Sequence, residues 1–361
     1  MKRKTRVGLL TSGGDCQGLN AALRGVGKTL YQYIDNLEIY GFYDGYRGLI
    51  ENDYKFMDAH DFSGIIAHGG TILGTSRQPY VPGKKIVDKN GVDMMPAMLS
   101  TYNRLNLDCL VVMGGNGTQK SAKLLMDAGM NIITLPKTID NDIYGTEETF
   151  GFQSAADIAT NVIDCIHTTA LSHSRIFLVE IMGRDAGWLT LAAGISGGAD
   201  VILIPEIPYD IEKAAETIEA RKKKGRNFSI VAVAEGAVSS KEKILSEEER
   251  RRKKELNPYS TISYEIADAL EKLTKQEARV TVPGHFQRGG PACPYDRVLA
   301  TRFGVAAARL IMEKKYGYMV GIQGGNIVEV PLEDAASRTK FLPTDHPLIR
   351  TARDVGIGFG D

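Results

Sequence analysis

Apolar, β-branched runs that stop at Gly-rich or polar turns recur at least six times along this chain. No other feature constrains the fold as much. The runs are Val7–Thr11 (before Ser-Gly-Gly-Asp), Leu110–Met113 (before Gly-Gly-Asn-Gly-Thr), Ile132–Leu135 (before Pro-Lys-Thr-Ile-Asp), Ile176–Met182 (before Gly-Arg-Asp), Ile230–Ala234 (before Glu-Gly) and Val280–Val282 (before Pro-Gly-His-Phe-Gln-Arg-Gly-Gly). Near-continuous runs of this kind suit parallel strands buried on both faces. Helical periodicity lies between them. Leu19, Ala22, Leu23, Val26 and Leu30 fall on one face, and Ser121, Leu124, Leu125 and Ala128 repeat the pattern. Alternating strands and helices predict a doubly wound α/β fold, with ligands bound outside the carboxyl ends of the strands. A length of 361 residues leaves room for two such domains.

Charge narrows the partners. Lys+Arg and Asp+Glu are each 44, so no net field favours nucleic acid or an anionic membrane, and any anion site must be local. No apolar run approaches the roughly 20 residues of a membrane span. Val7–Leu10, after a charged start, is too short for a signal peptide. Cys16, Cys109, Cys165 and Cys293 are far apart with no C-x-x-C pair, which points to reduced thiols in the cytoplasm. Cys109 and Cys165 are expected in the core, whereas Cys16, in a Gly-rich loop, is open to reactivity. Lys241–Glu255, where acids and bases interleave, reads as an exposed helix. Pro79–Gly83 and Asp88–Gly91 read as a surface excursion.

Three turns carry chemistry. Leu135–Gly145 sets Asp140 and Asp142 past a strand end, with Lys137 and Thr138 beside them. There they suit a general base and a metal or water ligand, or else a solvated turn capping the next helix. In Thr11–Asn20 the glycines let backbone N–H groups approach a phosphate, although the same glycines serve a tight structural turn. In Gly114–Thr118, Asn116 and Thr118 are either helix caps or neighbours of a phosphate held by the backbone. Neither Gly-rich turn matches a Walker P-loop or a dinucleotide fingerprint. Arg77, Arg175, Arg184, Arg279 and Arg288, with His285, lie at strand ends or loops and suggest two phosphate sites. Glu235 is either an acceptor for a sugar hydroxyl or the partner of an arginine.

With these pieces in order, the chain resembles the 6-phosphofructokinase family, which phosphorylates fructose 6-phosphate at O1. The matching segments are Thr11-Ser-Gly-Gly-Asp, Tyr43-Asp-Gly-Tyr-Arg-Gly-Leu, Gly69-Gly-Thr-Ile-Leu-Gly-Thr-Ser-Arg77, Gly114-Gly-Asn-Gly-Thr, Pro136-Lys-Thr-Ile-Asp-Asn-Asp, Met182-Gly-Arg and Gly284-His-Phe-Gln-Arg-Gly-Gly. The resemblance implies two Rossmann-like domains with mostly parallel sheets and an active site in the cleft between them. Residues 1–151 and 287–330 would form the donor domain, and 152–286 and 331–361 the acceptor domain. Asp140 would be the base taking the C1-hydroxyl proton, with Thr138 and Arg184 at the reacting groups, Asp142 in support and Ile139 binding the substrate. Met182, Gly183, Arg184 and Glu235 would hold the sugar. Arg175, Arg279, His285, Phe286, Gln287 and Arg288 would surround its 6-phosphate. By position Arg175 and Arg279 would reach across from a second subunit, so the resemblance implies a homo-oligomer, a dimer or tetramer. Gly14, Arg77, Gln78, Gly115, Asn116, Gly117 and Thr118 would cradle ATP, and Asn116, Asp140 and Asp142 would face Mg²⁺.

The sequence departs from the family at informative positions. Asn116 stands where the family has a metal-associated acid. Lys137 resembles the pyrophosphate-using members, whereas Gly117 lacks the Asp those members carry, which favours ATP over pyrophosphate as donor. The bacterial effector site is only partly matched: Arg24, Lys28, Asp200, Lys224 and Arg226 fit, but Phe228 does not. Two other functions compete, a non-catalytic regulatory subunit that binds sugar phosphate and a related kinase acting on a lipid or nucleotide.

Overall fold

The structure, a computed structural model, describes residues 3–76, 80–81, 85–87, 90–246, 248–249 and 258–361. The chain forms two compact units. The first comprises Met1–Ser154 and Arg288–Lys340, the second Ala155–Gln287 and Phe341–Asp361.

The first unit is built on a mostly parallel sheet. Its strands lie in the order Asn326–Pro331, Tyr318–Gln323, Ile132–Thr138, Cys109–Gly114, Thr5–Thr11, Leu37–Phe42 and Tyr54–Phe56. The two outermost pairs are antiparallel. Every residue of Cys109–Gly114 and of Ile132–Thr138 is buried, as expected of central strands covered on both faces. One core cluster joins Leu10, Leu110, Val112 and Ile132 with Phe42, Tyr46, Met98 and Leu125. Burying each such side chain contributes about 1.5–3 kcal/mol. Leu19, Ala22, Leu23, Val26 and Leu30 are all fully buried on the helix Leu19–Tyr33. The second periodic segment is trimmed. Its helix, Asn116–Asp127, ends before Ala128, which is exposed, and Ala122 takes the buried place instead.

Strand order in this sheet reverses between Thr5–Thr11 and Cys109–Gly114. From the first of these the chain runs outward to Leu37–Phe42, then returns to the other side. Crevices at such reversals are where open α/β sheets bind ligands.

The second unit holds a four-stranded sheet in the order Val201–Leu203, Ser229–Ala234, Ile176–Ile181 and Ala278–Thr281, parallel throughout. Its core cluster includes Ile176, Leu178, Leu203, Val231, Val233, Ile266 and Leu270. Among the described residues no helix is long and apolar enough to cross a membrane.

Two expectations about cysteines fail. Cys165 is exposed on the helix Phe152–His173, because its position falls on the solvent side of the helical repeat. Cys16 is fully buried, its thiol donating to the Gln17 carbonyl at 3.3 Å, and burial pushes its pKa up to about 12. A thiol so far from ionisation is a poor nucleophile. Of the charge run, residues 247 and 250–255 lie outside the described residues, as do 79, 82–83 and 88–89 of the surface excursion.

Candidate active site

Register places the three turns side by side. Thr11 pairs with Met113, Met113 with Leu135, and Gly114 with Pro136, so residues 12–18, 115–118 and 139–142 leave neighbouring strands at their carboxyl ends. The third strand is longer than its apolar pattern suggests. It runs on through Pro136 and Lys137 to Thr138, because Phe150–Gly151 pairs with Lys137 and Thr138. Lys137 is therefore buried within the strand, not on the following turn. Its ammonium donates to the Gly14 carbonyl, tying the third turn to the first. Burial pulls the Lys137 pKa down, and the nearby Arg288 charge adds to the effect.

Arg288 belongs to the first unit, and its Nη1 donates to the Asp15 carbonyl at 3.1 Å. A side chain at Gly14 would meet that same nitrogen at 3.1 Å, so the glycine makes room for the guanidinium. Arg288 thus lies against the Gly14–Asp15 turn, whereas the resemblance groups it with the sugar-phosphate residues. Its Nε is buried with no hydrogen-bond partner among the described residues.

Asp140 follows Ile139, whose side chain is fully buried and can offer a ligand only backbone. The Asp140 amide donates to Thr138 Oγ1 at 3.1 Å. Its Oδ1 is buried and accepts no hydrogen bond among the described residues. A carboxylate oxygen left without a donor in a native fold is held for something else. Asp142 is different. Asn116 Nδ2 donates to its Oδ2 at 2.6 Å and to its carbonyl at 3.2 Å. Burial and the charge of Asp140 push the Asp142 pKa up to about 6.

Asn116 is therefore not a cap. The helix Asn116–Asp127 starts after Gly115 with no side chain capping it, which leaves its N-terminal N–H groups for a ligand. Thr118 is buried, and Tyr46 donates to its carbonyl at 3.2 Å. A Cβ built on Gly117 meets no heavy atom within 4 Å, so this position faces open space. Arg77 and Gln78 lie outside the described residues.

The residues fit a divalent cation. Among the described residues no cluster of three or more His, Cys, Asp and Glu exists. A Mg²⁺ site of one or two carboxylates completed by substrate phosphates needs none. Asp140 brings the unpartnered oxygen, and Asp142 feels its charge. Asn116→Asp replaces an amide donor with a second carboxylate against Asp142. We expect a lower melting temperature in chelator, by about 1–3 kcal/mol of stability for the lost bond to a charged group. Mg²⁺ should reverse that loss and be needed at lower concentration for half-maximal rate. Identical melting with and without Mg²⁺ would separate Asn116 from the metal.

In the second unit, Met182, Gly183 and Arg184 follow the strand Ile176–Ile181. Arg184 adopts a left-handed φ of 56°, uncommon for a side-chain-bearing residue. The Glu235 carboxylate holds that bend, accepting from the Arg184 amide at 2.8 Å and the Gly183 amide at 3.3 Å. Glu235 is thus the partner of the Arg184 backbone. Gln287 is fully buried, and its Oε1 accepts from the Met182 amide at 3.3 Å, so it supports the turn instead of projecting from it. His285 and Phe286 are exposed.

Arg175 and Arg279 stand apart from this turn. Both guanidinium groups bind Glu277, at the amino end of the strand Ile176–Ile181. At about 3.3 Å per residue, Arg175 and Met182 are separated by roughly 23 Å along one strand. Within this unit the strand itself keeps the two groups apart.

The turns and their contents match one known family. The phosphofructokinase family model matches residues 6–311. The chain belongs to the phosphofructokinase family. The ATP-dependent 6-phosphofructokinase of Spirochaeta thermophila is 53% identical over 365 residues, which cover 100% of each chain. That of Propionibacterium freudenreichii is 48% identical, covering 99% of each. Among solved structures, Pichia pastoris phosphofructokinase in the T-state is 33% identical with a TM-score of 0.80, over 93% of this chain and 36% of that one. A pyrophosphate-dependent phosphofructokinase from Nitrosospira multiformis shares the fold, with a TM-score of 0.81 at 20% identity over 99% of this chain and 93% of that one.

Sequence reasoning missed the groups that hold the site without touching a ligand. Asn20 donates to the His68 carbonyl at 3.0 Å and accepts from the Ile72 amide at 2.9 Å, fixing the loop that carries Thr71. Lys340 reaches the 141–147 turn from the end of the first unit. Asn20 closes the Thr11–Asn20 segment, where the glycines drew the attention, and Lys340 sits in no motif.

Proposed function

We infer that this chain is an ATP-dependent 6-phosphofructokinase, moving a phosphoryl group from ATP to O1 of fructose 6-phosphate in glycolysis. The observation that carries the reading is the buried, unpartnered Asp140 oxygen, on the strand end next to those that carry the two Gly-rich turns. The full-length likeness to relatives named for that activity supports it.

In this mechanism Asp140 accepts the C1-hydroxyl proton as O1 attacks the terminal phosphorus and the bond to the departing ADP breaks. Backbone N–H groups of Gly115–Thr118 and the turn at Gly14 hold the donor phosphates. Lys137 and Arg288, beside Gly14, neutralise the charge gathering on the leaving group. Positioning and charge neutralisation supply most of the rate in phosphoryl transfer. Mg²⁺, held through Asp140 and Asp142, would neutralise the donor phosphates when bound. Met182–Arg184 and Glu235 shape the sugar subsite, and His285 meets its phosphate. A coupled assay on fructose 6-phosphate with ATP tests the reading, and no turnover in the presence of Mg²⁺ would sink it. Reduced, unpaired thiols suit a cytoplasmic enzyme.

The distance between Arg175 and Met182 supports sites completed across subunits of a homo-oligomer. If Arg175 and Arg279 serve a neighbour's site, Arg175→Ala and Asp140→Asn chains are each nearly inactive alone. Refolded together, they should regain activity, since some sites then draw intact residues from both chains. No recovery in mixed oligomers verified by mass would return Arg175 to a structural pairing with Glu277.

A further inference from the structure

The 141–147 turn that follows Asp140 is short of its own support. Asn141 has a left-handed φ of 50°, and the carbonyls of such a turn need donors from elsewhere in the chain. Three consecutive residues from the far end of the first unit meet it. Arg338 lies over the Tyr144 ring, with its guanidinium carbon 3.8 Å from the centroid. Thr339 forms an antiparallel bridge with Ile143. Lys340 donates its backbone N–H to the Asp142 carbonyl at 2.7 Å.

The Lys340 ammonium then reaches into the turn. It donates to Asn141 Oδ1 at 3.1 Å, the Thr146 carbonyl at 3.0 Å and the Glu147 carbonyl at 2.9 Å. An ammonium has three donors, and here three oxygens of one turn surround it. Asn141 relays the hold. Its Oδ1 also accepts from the Thr149 amide at 3.1 Å, and its Nδ2 donates to the Glu147 carbonyl at 3.2 Å. Asn141 lies between the two carboxylates, so whatever fixes it fixes the separation of Asp140 and Asp142.

We infer that Lys340 is a positioning residue for phosphoryl transfer: its ammonium locks the turn that aims Asp140, and Arg338 clamps the same turn from the Tyr144 side. Lys340 touches no reacting atom. The inference rests on Asp140 being the catalytic base, a reading that kcat of Asp140→Asn checks separately.

The test is Lys340→Met, which keeps the stem and removes the donors. Misplacing a catalytic group by about 1 Å costs up to about 10²-fold, so kcat should fall at least about tenfold while KM for both substrates stays within about twofold. Amide exchange should quicken over residues 138–149, with Thr149 as the reporter, and stay unchanged in the rest of the first unit. This exchange needs no activity. Arg338 is exposed, and Arg338→Ala should fold whatever Lys340→Met does. It should lower kcat about two- to fivefold with the same unchanged KM, the scale of an exposed cation–π contact. Wild-type kcat in Lys340→Met overturns the inference. So does a lowered kcat accompanied by faster exchange across the whole unit, which marks a general stability role. If Lys340→Met does not fold, wild-type kcat in Arg338→Ala overturns it alone.

Discussion

Asp140→Asn is expected to lower kcat by about 10²–10⁴-fold, the range for loss of a general base. The amide keeps the size of the side chain and removes its basicity. Asp140 Oδ1 has no hydrogen-bond partner among the described residues, so the substitution breaks no bond there. Stability should hold or rise slightly, because a half-buried carboxylate near Asp142 is replaced by a neutral group. The Asp142 carboxyl, pushed up to about 6 partly by the charge of Asp140, should move down towards the ordinary range. Binding of fructose 6-phosphate should change far less than kcat, since the lost interaction develops in the transition state. Near-normal kcat in a folded Asp140→Asn protein would remove the base from Asp140 and leave the carboxylate a structural or metal-holding role.

Gly117→Asp is expected to abolish most use of ATP and to keep or increase use of pyrophosphate. A Cβ at position 117 meets nothing within 4 Å, so the substitution is sterically silent in the free protein. Its carboxylate would project from the helix turn proposed to hold the donor phosphates, into the space the rest of a nucleotide would need. A like-charge contact there costs several kcal/mol, and every 1.4 kcal/mol is tenfold, so kcat/KM for ATP should fall by about 10² or more. Pyrophosphate ends before that point and is spared. Lys137 pulls the other way in the wild-type protein. Its ammonium, against Gly14, can neutralise pyrophosphate as well as the inner phosphates of ATP. It assists either donor, whereas the group at position 117 excludes one. The measurement is kcat/KM for both donors at equal Mg²⁺. Strong ATP use by Gly117→Asp would show that the nucleotide does not pass this turn. A wild-type preference for pyrophosphate would show that the lysine outweighs the glycine.

Much of this was legible in the residues. The runs at Val7, Leu110, Ile132, Ile176 and Ile230 became parallel strands because unbroken β-branched stretches have no exposed face to spare. Turns that follow such strands must lie at the carboxyl ends, so Asp140, Gly14 and Gly117 were positioned before any coordinates. Periodicity likewise identified the buried face of Leu19–Tyr33, since helix geometry depends only on neighbours three and four residues away. The end of the third strand was misjudged at Leu135. Its last residues are polar, and only pairing with Phe150–Gly151, more than ten positions on, draws Lys137 into the sheet.

Local sequence determined which residue types stand at each strand end; the path of the whole chain decided which of them meet. Asn116 resembles a cap or a weak metal ligand until Asp142 is seen 2.6 Å away, brought there by strands that pair in register. Arg175 and Met182 are close in sequence, and the resemblance already assigns Arg175 to a neighbour's site; the extended strand that holds the two at opposite ends supplies the physical reason. Lys340 is nearly 200 positions from Asn141 and belongs to no motif, because its partners are backbone carbonyls, which every residue has. Periodicity and turn chemistry act over a few residues and are written in order along the chain. A hydrogen bond between Lys340 and a distant turn depends on where two segments end, and that is settled only when the sheet and its core have closed.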